Sequence, residues 1–133
     1  MAAKLKVIQY NANRRREGQH EFLRDFTIAD YNIALISEPY VGRGPGVPSY
    51  QGLGVYQFTS GSRVKACVIT KPILGSALGV SQLSTSNLAV IQLRVNHRPL
   101  FIVSAYVEPD EDPNDTLAAI GRLLLATQGS QLI

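Results

Sequence analysis

Three polar side chains stand where apolar runs stop: Asn11 after "LKVIQY", Glu38 after "NIALIS", and Tyr106 near the close of "PLFIVSAYV". An amide oxygen and a carboxylate are hard donors. They suit Mg²⁺, which takes oxygen ligands and often only one or two carboxylates from the protein. Zinc is poorly served, because the chain offers only His20 and His97, one in a predicted helix and one in a turn. Arg14, Arg15 and Arg16 follow Asn11 just ahead of that helix, where backbone amides and guanidinium groups together favour a phosphate. Each residue also has a plain structural role: Glu38 as a solvated strand-end acid, Asn11 as a turn-former or cap, Tyr106 as an amphipathic strand residue, the arginines as a solvated face.

The elements that must position these residues read clearly. Residues 5–10, rich in β-branched side chains, form a first strand, and "NIALIS" (32–37) forms a second. Between them Phe22, Leu23 and Phe26 recur at helical spacing among charged residues, which predicts an amphipathic helix over 17–29. Strand, helix, strand within about 30 residues is a crossover unit with the two strands parallel or nearly so. The proline- and glycine-rich stretch 39–54 is loop. It is no phosphate-cradling glycine loop, since no helix opens after it and its prolines remove backbone donors.

Two hairpins follow, 55–58 with 63–70 and 87–95 with 99–107, and the second is apolar enough for both its faces to be covered. "DPNDTLAAIGRLLLATQ" predicts a closing helix with Asp112 as cap, Pro113 in the first turn, and Leu117, Ile120, Leu123 and Leu124 on the apolar face. The final "QLI" reads as the start of another strand, so the chain is expected to be a fragment cut at that strand's entry. A half-sandwich of this sort is expected to leave apolar sheet open.

Bulk properties set the frame. With 133 residues, 45% hydrophobic and 17% charged, the chain has the length and balance of one globular domain. The net charge of +3 permits a polyanionic partner without requiring one. Cys67 is the one cysteine, so no internal disulfide forms; that suggests a reducing compartment, and "KACVIT" presents the thiol as a small buried hydrophobe. No run approaches the roughly 18 apolar residues of a membrane span.

Taken in order, "QYNANRRR", "LISEPY" and "SAYVEP" resemble the endonuclease/exonuclease/phosphatase superfamily, and most of all the apurinic/apyrimidinic-type endonuclease domain of non-LTR retrotransposons. The carrying residues are Gln9, Asn11 and Arg14 to Arg16; Glu38, Pro39 and Tyr40; and Tyr106 and Pro109. The resemblance spans roughly residues 5–133. It implies an α/β (α+β) fold of DNase I type, a two-layer β-sandwich flanked by helices and incomplete at its C-terminus.

It further implies Mg²⁺-dependent hydrolysis of DNA phosphodiesters, for nicking a target duplex. Glu38 and Asn11 would hold the metal, Tyr106 would hydrogen-bond the phosphate, and Arg14, Arg15 and Arg16 would contact the DNA backbone. A reverse transcriptase region in the same parent polypeptide and a nuclear, intracellular setting belong to the same implication.

The sequence departs from the family in two places. The repair-enzyme branch carries an acid and a glycine soon after its first asparagine, whereas here Asn13 and Arg14 stand in "NANR". The family's Gly-Asp-x-Asn strand and terminal Asp-His pair are absent, so the fragment alone is expected to be inactive or nearly so. The acids Glu108, Asp110, Glu111, Asp112 and Asp115 read as a solvated loop and helix start rather than substitutes. Two other readings stay open: a non-catalytic remnant or DNA-binding fragment of a decayed element, and a phosphatase on the same fold.

Overall fold

The computed structural model describes residues 5–59, 63–72, 77–95, 98–107, 113–127 and 131–133. Strand β1 (Val7–Asn11) leads into helix α1 (Arg16–Ile28) and then β2 (Ile33–Ser37). β3 (Gly54–Tyr56) and β4 (Ala66–Thr70) complete a four-stranded sheet in the order β1-β2-β4-β3. A second four-stranded sheet, in the order β5-β6-β7-β8, is built from β5 (Leu78–Gly79), β6 (Leu88–Val95), β7 (Arg98–Ala105) and β8 (Gln131–Leu132). Helix α2 (Pro113–Ala126) crosses from β7 to β8, which lie parallel.

β1 and β2 are parallel as expected, with Asn11 beside Ser37 in the register. Both predicted hairpins pair antiparallel, β3 with β4 and β6 with β7. "QLI" does enter a strand.

Alternation along the strands sorts the side chains into three layers. Between the sheets Ile33, Leu35, Val68, Ala89, Ile91, Leu93, Leu100 and Ile102 form the central core. On the outer face of the first sheet, Ala34, Ile36, Cys67 and Ile69 meet Leu23 and Phe26 of α1, and the Tyr10 ring stacks on Phe22 at 4.2 Å. Burial of Leu23 and Phe26 is worth about 1.5–3 kcal/mol each. Cys67 is wholly buried there, and desolvation pushes its thiol up to about 12, which leaves it a neutral core residue.

Two expectations need correction. On α2, Leu117 and Leu124 are exposed, at 60% and 54%, and the covered face is Ala119, Ile120 and Leu123 against Leu88, Val90, Phe101 and Val103. Small Ala119 lets the helix lie close to the sheet, and that choice of contact turns positions 117 and 124 outward. Nor is apolar sheet left broadly open: among the described residues the large exposed hydrophobics sit mainly on helices and ends, and only Leu78 belongs to a strand. The two sheets cover each other. Asp112 and residues 108–111 lie outside the described residues, and Asp115 is exposed in the first turn of α2. Among the described residues, no helix is long and apolar enough to cross a membrane.

Candidate functional site

β1 and β2 run parallel, so their C-terminal ends open on the same side, and β4 begins there because it runs against β2. Asn11 is the last residue of β1, and Glu38 follows the last residue of β2. Tyr106 follows the last residue of β7. Backbone hydrogen bonds join these points into one lip. The Ala12 N–H donates to the Ser37 carbonyl at 3.0 Å, and the Glu38 N–H to the Lys65 carbonyl at 3.0 Å. The Lys65 N–H reaches the Ser86 carbonyl at 2.7 Å, and the Tyr106 N–H reaches that of Asn87 at 2.9 Å. The Asn87 amide donates back to the Tyr106 carbonyl at 3.0 Å, closing the turn onto β6. Residues 11, 38 and 106 therefore stand on the same end of the sandwich.

Beneath this lip the two sheets leave a cavity of about 340 Å³, with Gln9, Asn11, Ser37 and Ser104 among its walls. Its polar lining follows from period-2 alternation. Gln9 and Asn11 share the inward face of β1 with Val7, and Ser37 continues the inward row of Ile33 and Leu35. The buried Ser104 hydroxyl donates to the Ile36 carbonyl at 3.3 Å across the sheets. Of the three predicted residues, Asn11 lines the cavity; Glu38 and Tyr106 are the chain neighbours of its walls Ser37 and Ala105.

Backbone conformation marks the same place. Asn13, Arg14 and Glu38 have φ of +50°, +60° and +45°, the positive-φ non-glycine residues among those described. Asparagine tolerates this region; arginine and glutamate do so rarely, at a cost of about 1–3 kcal/mol each. The strained segments hold one another, for the Arg14 N–H donates to the Glu38 carbonyl at 2.8 Å. Asn11 fixes its own turn, its Oδ1 accepting the Asn13 N–H at 2.8 Å and keeping a second lone pair. Arg15 caps α1 without a side-chain bond, and Arg16 is the first helical residue. All three arginines are exposed beside the lip.

Reasoning from sequence missed the support behind Glu38. Gln19, wholly buried in α1, accepts the Tyr40 N–H at 2.7 Å and donates to the Tyr50 hydroxyl at 2.8 Å. A second glutamine repeats the device further along the loop: Gln57 accepts the Val47 N–H at 2.7 Å and donates to its carbonyl at 3.1 Å. Gly46 is where that approach demands glycine, since a Cβ there would lie 2.5 Å from the Gln57 Oε1. A glutamine among charged helix residues carries no sign of burial. The "GPG" run was the only hint of close approach.

The donors at the lip are oxygens, a carboxylate and an amide, which fit Mg²⁺ with water completing its shell. Among the described residues no group of three or more His, Cys, Asp or Glu side chains comes together.

No family model and no curated protein matches the sequence. Solved structures do. The endonuclease domain of TRAS1, a telomere-specific non-LTR retrotransposon, superposes with a TM-score of 0.83 at 28% identity, over 97% of this chain and 56% of that one. This chain thus spans a little over half the length of that domain. An endonuclease/exonuclease/phosphatase family protein from Leptotrichia buccalis gives a TM-score of 0.55 at 13% identity, over 97% of this chain and 65% of that one. The AP endonuclease LMAP from Leishmania major gives 0.55 at 15%, over 94% and 45%. Those two bear on the fold alone. The chain has the DNase I-like fold of the endonuclease/exonuclease/phosphatase superfamily, and within it resembles a non-LTR retrotransposon endonuclease domain.

Proposed function

We propose that residues 1–133 are the N-terminal part of a metal-dependent endonuclease domain that nicks duplex DNA for the insertion of a retroelement. The observation that carries this reading is Glu38, held at φ +45° on the strand-end lip beside Asn11, in a chain similar to the TRAS1 endonuclease domain at a TM-score of 0.83. Strain of that kind persists only where the surrounding structure enforces it, and it collects at functional sites.

The Glu38 carboxylate and the Asn11 amide oxygen would hold Mg²⁺. When bound, the metal supplies Lewis-acid stabilisation of the phosphoryl oxygens. Tyr106, at the far side of the lip, donates its hydroxyl to the scissile phosphate. Arg14, Arg15 and Arg16 grip flanking phosphates, an attraction that weakens as salt rises. None of these residues polarises the attacking water. That role falls to a part of the domain beyond them, and the 133-residue stretch alone is expected to have little or no activity.

The test is plasmid nicking with Mg²⁺ by a polypeptide that extends the domain to the length of its TRAS1 counterpart. Glu38→Ala should lower nicking by at least about 100-fold, in the range seen when one electrostatic group is removed from a transition state, with an unchanged circular dichroism spectrum. Nicking by that variant at the parent's rate overturns the reading.

A further inference from the structure

A second concavity adjoins the lip on the flank of the molecule, with Arg16 at the border of the two. It is a cleft of about 500 Å³ between α1 and the loop that follows Glu38. That volume is in the range of sites that enclose small organic groups. Arg16, His20 and Arg24 line it from α1 at spacings of four, so they share one helix face, with the outer two about 12 Å apart along the axis. Tyr40 and Tyr50 line it from the loop. The His20 ring meets Tyr50 edge-on at 5.4 Å and Tyr40 at 6.1 Å, which makes a wall of three rings.

Among the described residues no acid lines the cleft itself; Glu17 and Glu21 line an adjoining hollow with the same Arg16, His20 and Arg24, and Arg24 makes a 4.0 Å contact to exposed Asp25. The opposite wall is preset, because Gln19 holds the Tyr40 N–H and the Tyr50 hydroxyl. A pinned wall loses little freedom when it binds.

Cations at intervals beside aromatic rings, one exposed and two half-buried, suit a single nucleic-acid strand: phosphates follow the cations while an unstacked base lies against a ring. A duplex can use the cations but not the rings, since its bases are stacked on one another. We infer that the cleft between α1 and the 39–53 loop binds an unpaired stretch of DNA, with phosphates at Arg16 and Arg24 and a base against His20, Tyr40 and Tyr50. The choice of DNA rests on the endonuclease reading. A strand bound there would lie on the flank of the lip, where an unpaired end leaving the nick can be held.

The experiment uses the 133-residue chain itself and a fluorescent oligothymidylate of about 12 nucleotides, within the site sizes of single-strand binders, followed by anisotropy from roughly 50 to 200 mM salt. The chain contains no tryptophan, so quenching of its tyrosine emission reports stacking directly. The expected result is saturable binding with tyrosine quenching. Arg24→Ala should flatten the slope of log affinity against log salt by about 0.7, one phosphate contact on a single strand. His20→Ala, an exposed position, should weaken binding about fivefold or more, as loss of a stacking partner does.

Absence of binding by the parent chain overturns the proposal, as do unaltered affinities in both variants. Equal competition by a duplex of the same length, or by polyglutamate, overturns it too, because the cleft would then recognise charge alone. The binding measurement needs neither Mg²⁺ nor cleavage and reads Arg24 and His20, whereas the nicking test reads Glu38, so a failed nicking test and a failed binding test are separable.

Discussion

The two helices cover their sheets unequally. α1 and the loop after β2 bury the outer face of the first sheet under a cluster of nine buried residues, with eight partly buried ones packed around it. Among the described residues α2 and the second sheet share a smaller cluster, four buried residues with five partly buried ones, and Leu117, Leu124 and Leu125 stand in solvent. The strained residues Asn13, Arg14 and Glu38 all lie at the end of the first sheet. The densely held side can enforce a backbone that the chain would not adopt alone, and the loosely covered side carries no such residue among those described. Asn11 and Glu38 of the polar lip sit on that densely held side.

A matched pair of truncations tests that contrast most strongly. Leu23 in α1 and Leu123 in α2 are 2% and 1% exposed, so each loses the same methylenes on change to alanine. The remainder of the cost is the cavity, which depends on how far the surroundings collapse. Leu23→Ala should cost about 4 kcal/mol and Leu123→Ala about 2 kcal/mol, the upper and lower parts of the range for such changes. Urea unfolding measures both. Equal costs would mean that the two helices are held alike, and the comparison would fail.

Gln19 comes next in size. Gln19→Leu keeps nearly the same shape but strands the Tyr40 N–H and leaves the Tyr50 hydroxyl without its donor. Unmet buried groups cost about 1–3 kcal/mol each, with water able to reach part of this site, so about 3 kcal/mol is expected in total. Gln19→Glu retains an acceptor for the Tyr40 N–H and should recover about half of that loss. If Gln19→Leu unfolds at the same urea concentration as the parent, the loop is held by packing alone and the clamp is incidental.

Much of this architecture was legible in the chain. β-Branched runs marked the strands, Phe22, Leu23 and Phe26 marked the face of α1, and three residues at the end sufficed for β8. The candidate lip was legible from apolar runs that end abruptly in Asn11, Glu38 and Tyr106, together with the order of the motifs around them. Tertiary choices left no such mark. β5 is two residues long, too short for alternation to show. Leu117 and Leu123 look alike in a periodic helix, and only contact with Leu88 and Val90 decides which is covered. Positive φ at Glu38 was equally hidden, because glutamate carries no preference for it and the cause lies in partners distant along the chain.

That hidden strain gives the smallest of the expected effects and the sharpest in sign. At φ +45° a side chain at position 38 crowds its own backbone, whereas glycine adopts this region freely. The left-handed conformation costs an ordinary residue about 1–2 kcal/mol, and glycine returns part of that gain through the greater freedom of its unfolded chain. Glu38→Gly should therefore stabilise the fold by about 1 kcal/mol, which for a domain of this size raises Tm by roughly 4 °C. A residue kept for folding would lose stability on removal of its side chain. A rise in Tm together with lost nicking would show that Glu38 is maintained against the preference of the backbone, for what its carboxylate does. A fall in Tm would make the acid a structural partner of the Arg14 turn, and would remove strain as an argument for a site at this lip.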